Sequence, residues 1–241
     1  MKPCIIAHRG YSAAAPENTL AAIRLAGTAR ADLVEVDVRL TKDGVPVLLH
    51  DAKLDRTKNG SGLLADATAA AVKELDAGSW FSPQFAKEPV PTLCEALKLA
   101  VEDRPLLVEI KELAAAVPSA EVVRSAGAVD RVVVQSFLAD AVTAFRHILP
   151  EVPAGFLISP GKADDPASAQ WIAKVCAYAS GCGAAFAAVH HQAVTPRLVE
   201  YLFRRGLSVW AWTVDDPADM KRLADWGVAG LITNNPAVSP L

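Results

Sequence analysis

The chain has 241 residues, 52% of them hydrophobic and 21% charged, with a formal net charge of −3. That is ample apolar material for a large buried core, and it excludes a disordered chain. A mildly acidic balance without a basic run leaves no electrostatic footprint for nucleic acid.

The start, Met-Lys-Pro-Cys-Ile-Ile-Ala, carries too short an apolar run for a signal peptide, and no stretch approaches the roughly 20 apolar residues of a membrane span. Four cysteines (Cys4, Cys94, Cys176, Cys182) form no Cys-x-x-Cys pair. They read as buried small apolar side chains in a reducing cytoplasm.

In chain order, Cys4 to Ala7 is a short apolar strand running into His8-Arg9-Gly10. Pro16-Glu17-Asn18-Thr19 opens a helix with apolar Leu20, Ile23 and Leu25. From Asp32, Val34, Val36 and Val38 alternate with Glu35, Asp37 and Arg39. This is the period of a strand, and it places Glu35 and Asp37 on one face about 7 Å apart. Lys42-Asp43-Gly44 is a tight-turn signal, and Val45 to Leu49 returns as a second strand ending in His50-Asp51. So short a link predicts a hairpin, which folds His50 back towards Asp37.

Periodicity is lost from Asp51 to Pro91, which reads as an inserted excursion. Thr92-x-x-Glu95 is a capping box before the next helix. Leu106 to Lys111 is a strand carrying Glu109-x-Lys111, followed by strands at Val132–Gln135, Gly155–Ile158, Ala185–Val189, Leu207–Trp212 and Gly230–Thr233. Thr195-Pro196 with Gly206, and Asp216-Pro217 with Gly227, mark helices by their starts and stops. Eight strands with room for a helical crossover predict an α/β chain folded as a (β/α)8 TIM barrel. It would be one unit over residues 1–241, with a small insertion, approximately 51–90, after the second barrel strand.

Such barrels carry their chemistry at the carboxyl ends of the strands. There the sequence places His8, Arg9, Glu35, Asp37, Glu109, Lys111, Gln135 and Trp212, with His50 returning from the hairpin. Three carboxylates without cysteine suit a hard cation, Mg²⁺ or Ca²⁺, rather than zinc. Arg9 and Lys111 supply the positive charge that a phosphate requires. Two histidines can divide base and acid duties near neutral pH. The set suggests metal-assisted phosphoester cleavage.

Taken with Arg56-Thr57, Asp76 to Phe81, Pro91-Thr92-Leu93, Gln135-Ser136-Phe137 and Trp212-Thr213-Val214, these motifs resemble the glycerophosphodiester phosphodiesterase family, in its short cytoplasmic bacterial form. The resemblance covers nearly the whole chain. It implies hydrolysis of small-molecule glycerophosphodiesters to sn-glycerol 3-phosphate and an alcohol. It further implies Glu35, Asp37 and Glu109 as ligands of Mg²⁺, Ca²⁺ or Mn²⁺, and His8 and His50 as the acid–base pair. Arg9 and Lys111 would hold the phosphate, and Trp212 is a candidate to pack on the glycerol or the leaving alcohol. Alternative readings are a lysophospholipase D-type hydrolase, which would want an apolar rim on the insertion, and a non-catalytic phosphodiester-binding barrel.

Two departures stand out. Thr233-Asn234 replaces the family's usual Thr-Asp, and Ala229 stands where Gly-Val-Asp-Gly would place an acid. Asn234 lies outside the histidine and carboxylate set and is expected only to tune the rate. Asp51 is left between two readings, orienting His50 or closing the hairpin.

Overall fold

The computed structural model describes residues 2–100 and 104–241. The chain begins with strand β1 (Cys4–Ala7) and helix α1 (Leu20–Thr28), then the hairpin of β2 (Leu33–Leu40) and β3 (Pro46–Leu48). The inserted segment contains the one-and-a-half-turn helix α2 (Ala69–Lys73), and α3 (Leu93–Ala100) closes it. Strand and helix then alternate. They run β4 (Leu106–Ile110), α4 (Ala116–Ser125), β5 (Val132–Ser136), α5 (Ala139–Ile148), β6 (Ala154–Ile158) and α6 (Ala169–Gly181). The last units are β7 (Phe186–His190), α7 (Pro196–Phe203), β8 (Ser208–Trp212), α8 (Pro217–Asp225) and β9 (Gly230–Thr233).

Eight of these strands are parallel and close into a barrel, because β1 pairs with β2 on one side and β9 on the other. The predicted (β/α)8 architecture is the one found. β3 is not a barrel stave. It runs antiparallel to the end of β2, with Val38 opposite Leu48, as the short turn requires. The strands expected at Gly155, Ala185 and Leu207 begin one residue earlier or later than the sequence suggested, at Ala154, Phe186 and Ser208. No described helix is long and apolar enough to cross a membrane.

Local chemistry accounts for the helix boundaries. Thr19 Oγ1 accepts from the Ala22 N–H, and Thr92 and Glu95 cap each other reciprocally at 2.9 and 3.1 Å. Gly206 and Gly227, just past α7 and α8, take φ of +74° and +87°, the left-handed turn that glycine accepts most readily. Val34, Val36 and Val38 face the helices in the main core, which puts Glu35 and Asp37 inside the barrel.

Below them the barrel is plugged by Ile6, Leu107, Leu157, Phe186, Ala188 and Ile232. Phe186 and Trp210 stack there with centroids 3.9 Å apart. Gly155 and Gly230 make the room, since a Cβ at either would lie 2.0 Å from the Phe186 ring or 2.7 Å from the Trp210 ring.

The segment from Asp51 to Val90 has little regular structure but is not loose. Val47, Leu49, Leu54, Leu64, Val72, Ala77 and Val90 form a small core of their own against the hairpin. Asp76 ties its aromatic loop together by accepting from the backbone N–H groups of Gly78, Ser79 and Lys87. The cysteines differ from expectation. All four are free, but only Cys182 is buried, and the other three are half-buried.

Candidate active site

The site forms where β2 and β4 lie side by side. Their register sets Asp37 opposite Glu109, and Glu109 in turn opposite Gln135 of β5. Glu35, Asp37 and Glu109 are all buried, and each offers an oxygen within 4.8 Å of the others. Two cations answer them. Lys111 Nζ lies 2.9 Å from Asp37 Oδ1 and also pairs with Glu109, while Arg9 Nε is 3.2 Å from Asp37 Oδ2. Burial alone would raise the Asp37 carboxyl, but Lys111 and Arg9 outweigh it and hold that group below the usual carboxylate range. Glu35 goes the other way, pushed well up by burial and then by Asp37 and Glu109.

This donor set fits a hard divalent cation. The ligand atoms are all oxygens. Glu35 Oε2 accepts from the Arg9 backbone N–H at 2.7 Å, but its buried Oε1 has no hydrogen-bond partner among the described residues. A buried carboxylate oxygen left without a donor costs free energy unless a cation faces it.

The sequence-expected residues are brought together, with one exception. His8 follows β1 directly, and His50 follows the hairpin strand, so both imidazoles sit in the field of Asp37. The Leu49 N–H donates to the Asp37 carbonyl at 3.1 Å, which is how the hairpin delivers His50. Burial and the Arg9 cation lower the His8 imidazole to about 4; burial also lowers His50, against the pull of Asp37. Trp212 stands apart on the opposite wall. Its indole N–H donates to the Ala188 carbonyl at 3.0 Å, and its ring is edge-on to Phe137 and His190. No hydrogen bond or ion pair joins it to the carboxylates.

Several residues at the site are given no settled role by the sequence. Asn18 clamps Asp37 twice, giving its Nδ2–H to Asp37 Oδ2 at 2.8 Å and taking the Asp37 N–H at 3.0 Å. It does so from a left-handed conformation, φ 57°, which asparagine tolerates better than most residues. Arg9 is also left-handed, at φ 56°. Glu17 bridges two arginines, pairing with Arg9 at 3.0 Å and with Arg56 at 2.7 Å. Arg56 goes on to Asp51, whose Oδ1 lies 2.6 Å from His50 Nδ1. Asp51 therefore orients His50, and Arg56 and Glu17 hold Asp51. The sequence signals for them are the Pro-Glu-Asn-Thr run, which reads equally as a helix start, the Arg56-Thr57 pair of the family resemblance, and Asp51 beside His50.

Asn234, expected only to tune the rate, touches the histidine set directly: its Oδ1 lies 2.7 Å from His8 Nδ1. Closure of β9 onto β1, with Ala7 opposite Thr233, puts it there.

Residues 8–238 match the glycerophosphoryl diester phosphodiesterase family. The chain is 36% identical to a glycerophosphodiester phosphodiesterase of Caldanaerobacter subterraneus, over 98% of this chain and 96% of that one. It is 33% identical to one of Bacillus subtilis, over 96% and 83%. Among solved structures, an Oleispira antarctica phosphodiesterase in complex with the product sn-glycerol-3-phosphate superimposes with a TM-score of 0.88. The two are 31% identical, over 98% of this chain and 94% of that one. The chain is an enzyme of the glycerophosphoryl diester phosphodiesterase family.

Proposed function

We propose that the chain hydrolyses glycerophosphodiesters such as glycerophosphocholine or glycerophosphoethanolamine to sn-glycerol 3-phosphate and an alcohol, with a divalent cation held by Glu35, Asp37 and Glu109. The observation that carries this reading is the buried triad of carboxylates with Glu35 Oε1 unpartnered, flanked by Arg9 and Lys111. Mg²⁺ or Ca²⁺ suits the all-oxygen donors, with Mn²⁺ a third candidate. Such an ion supplies Lewis-acid polarisation of a phosphoryl oxygen when bound.

The chain's own groups account for the rest. Arg9 and Lys111, already aimed at the carboxylates, can hold the other phosphate oxygens and gather the charge that grows on them. One of His8 and His50 takes a proton from the attacking hydroxyl, from water or the glycerol 2-hydroxyl, and the other returns one to the leaving alkoxide. The Phe137–Trp212 wall offers an apolar face to the glycerol or the alcohol. A cytoplasmic site of action suits four free cysteines.

The test is release of glycerol 3-phosphate from a panel of glycerophosphodiesters, with Mg²⁺, Ca²⁺ or Mn²⁺ and after chelation. Release that stops on chelation and returns with one of the ions supports the reading. Full activity in protein shown by elemental analysis to be metal-free would refute the metal's part in it, and no release from any substrate would refute the activity.

A further inference from the structure

Asp215 lies outside the catalytic set, on the exposed loop between β8 and α8. Both of its carboxylate oxygens are nevertheless engaged. Oδ1 accepts from the Thr233 hydroxyl at 2.9 Å and from the Asn234 backbone N–H at 2.8 Å, and Oδ2 accepts from the Asn234 side-chain amide at 2.7 Å. A carboxylate can only accept, so the part of the Asn234 amide facing it is the NH₂. That orients the whole group. The amide oxygen turns the other way, 2.7 Å from His8 Nδ1 and 3.0 Å from the Ser12 hydroxyl. An amide oxygen cannot donate, so the hydrogen between it and the imidazole belongs to Nδ1.

We propose that Asp215, acting through Asn234, is a positioning residue that fixes His8 with its hydrogen on Nδ1, leaving Nε2 as the only nitrogen that exchanges a proton with the reactants. Neutral His8 then enters the reaction able to take a proton and unable to give one until it has done so. Burial and Arg9 keep the ring neutral near pH 7. His50 is backed differently, by the Asp51 carboxylate rather than an amide oxygen. The two imidazoles are thus prepared unequally before substrate arrives. The assignment rests on the reading of His8 as catalytic, but the state of its ring can be observed without turnover.

The contact geometry supplies its own test, because the pair can be exchanged. In D215N the new amide can still accept from Thr233 and from the Asn234 backbone, but its NH₂ then faces the NH₂ of Asn234. Asn234 must turn over, present its NH₂ to His8 Nδ1, and drive the hydrogen to Nε2. N234D sets two carboxylates against each other. The double variant D215N/N234D restores a donor and an acceptor at every contact. Asn at 215 donates to Asp at 234, which accepts from His8 Nδ1–H.

Long-range ¹H–¹⁵N spectra of histidine-labelled enzyme, with Mg²⁺ and after chelation, read the tautomer directly. We expect Nδ1–H in the wild type, Nε2–H in D215N and Nδ1–H again in the double variant. In parallel, kcat of D215N should fall about 10- to 100-fold with KM little changed, in the range of lost outer-shell partners, and should recover most of that in the double variant. An Nε2–H ring in the wild type, an Nδ1–H ring persisting in D215N, or no recovery in the double variant would each overturn the assignment. A wild type with the expected tautomer but no hydrolysis would instead count against the proposed function alone.

Discussion

Replacing Glu35 with glutamine isolates the charge of the carboxylate triad. Glutamine preserves the size of the side chain, and its oxygen can keep the 2.7 Å contact from the Arg9 N–H. What disappears is one of three negative charges whose oxygens lie within 4.8 Å of each other. Without a cation that charge opposes folding, since burial, Asp37 and Glu109 push the Glu35 carboxyl well up. The folded chain then holds a proton that the unfolded chain has already released, so stability falls as pH rises past the ordinary glutamate range near about 4.

Metal-free E35Q should therefore be more stable than metal-free wild type at pH 8. For a chain of 241 residues each kcal/mol gained raises Tm by roughly 2–4 °C. A divalent ion at a hundredfold excess over its Kd should add about 2.7 kcal/mol to the wild type and far less to E35Q. Thermal unfolding at pH 8, with chelator and with millimolar Mg²⁺, Ca²⁺ or Mn²⁺, measures both effects. If metal-free E35Q is no more stable than wild type, or if both gain equally from the ion, the triad is not a cation site.

His8→Ala and His50→Ala should each lower kcat/KM by about 10²–10⁴, and the double variant should lose far less than the product, because groups acting as a unit are not additive. Steady-state kinetics would show it; near-multiplicative losses would separate the two rings. Arg56→Ala removes the link between Glu17 and Asp51 and should cost about tenfold or more in kcat through His50, with inhibition by glycerol 3-phosphate unchanged. Gly10 takes φ +79°, and a Cβ there would lie 2.5 Å from the Ala22 Cβ and 2.7 Å from its backbone. Gly10→Ala should therefore destabilise the fold by more than about 1 kcal/mol in urea unfolding. Phe145, fully buried in the main core, should cost about 3–5 kcal/mol on change to alanine.

The parts of the site legible in the sequence are those that obey a period or a short turn. Alternation in β2 puts Glu35 and Asp37 on one face, and the same spacing marks Glu109 and Lys111 at the end of the next barrel strand. The brief Lys-Asp-Gly link leaves His50 no place but beside Asp37. The contacts that sequence reasoning leaves unread come from chain without a period. Asn18 and Glu17 sit in a turn before α1, and Arg56 sits in the insertion, 39 positions from the Glu17 it pairs with. The contact of Asn234 with His8 is hidden for a topological reason. It lies 226 positions from His8, and only closure of the last strand on the first makes them neighbours.

That closure has a consequence for how the enzyme comes into being. Synthesis runs from the amino end, so β2 and β4, with their acids, leave the ribosome while most of the barrel is unmade. The seam between β1 and β9 must wait until β9 has been made. Until then His8 has neither Asn234 beside it nor a closed wall around it. A nascent chain without β9 lacks the Asn234 contact, so on the role proposed for His8 hydrolytic competence arrives with that strand.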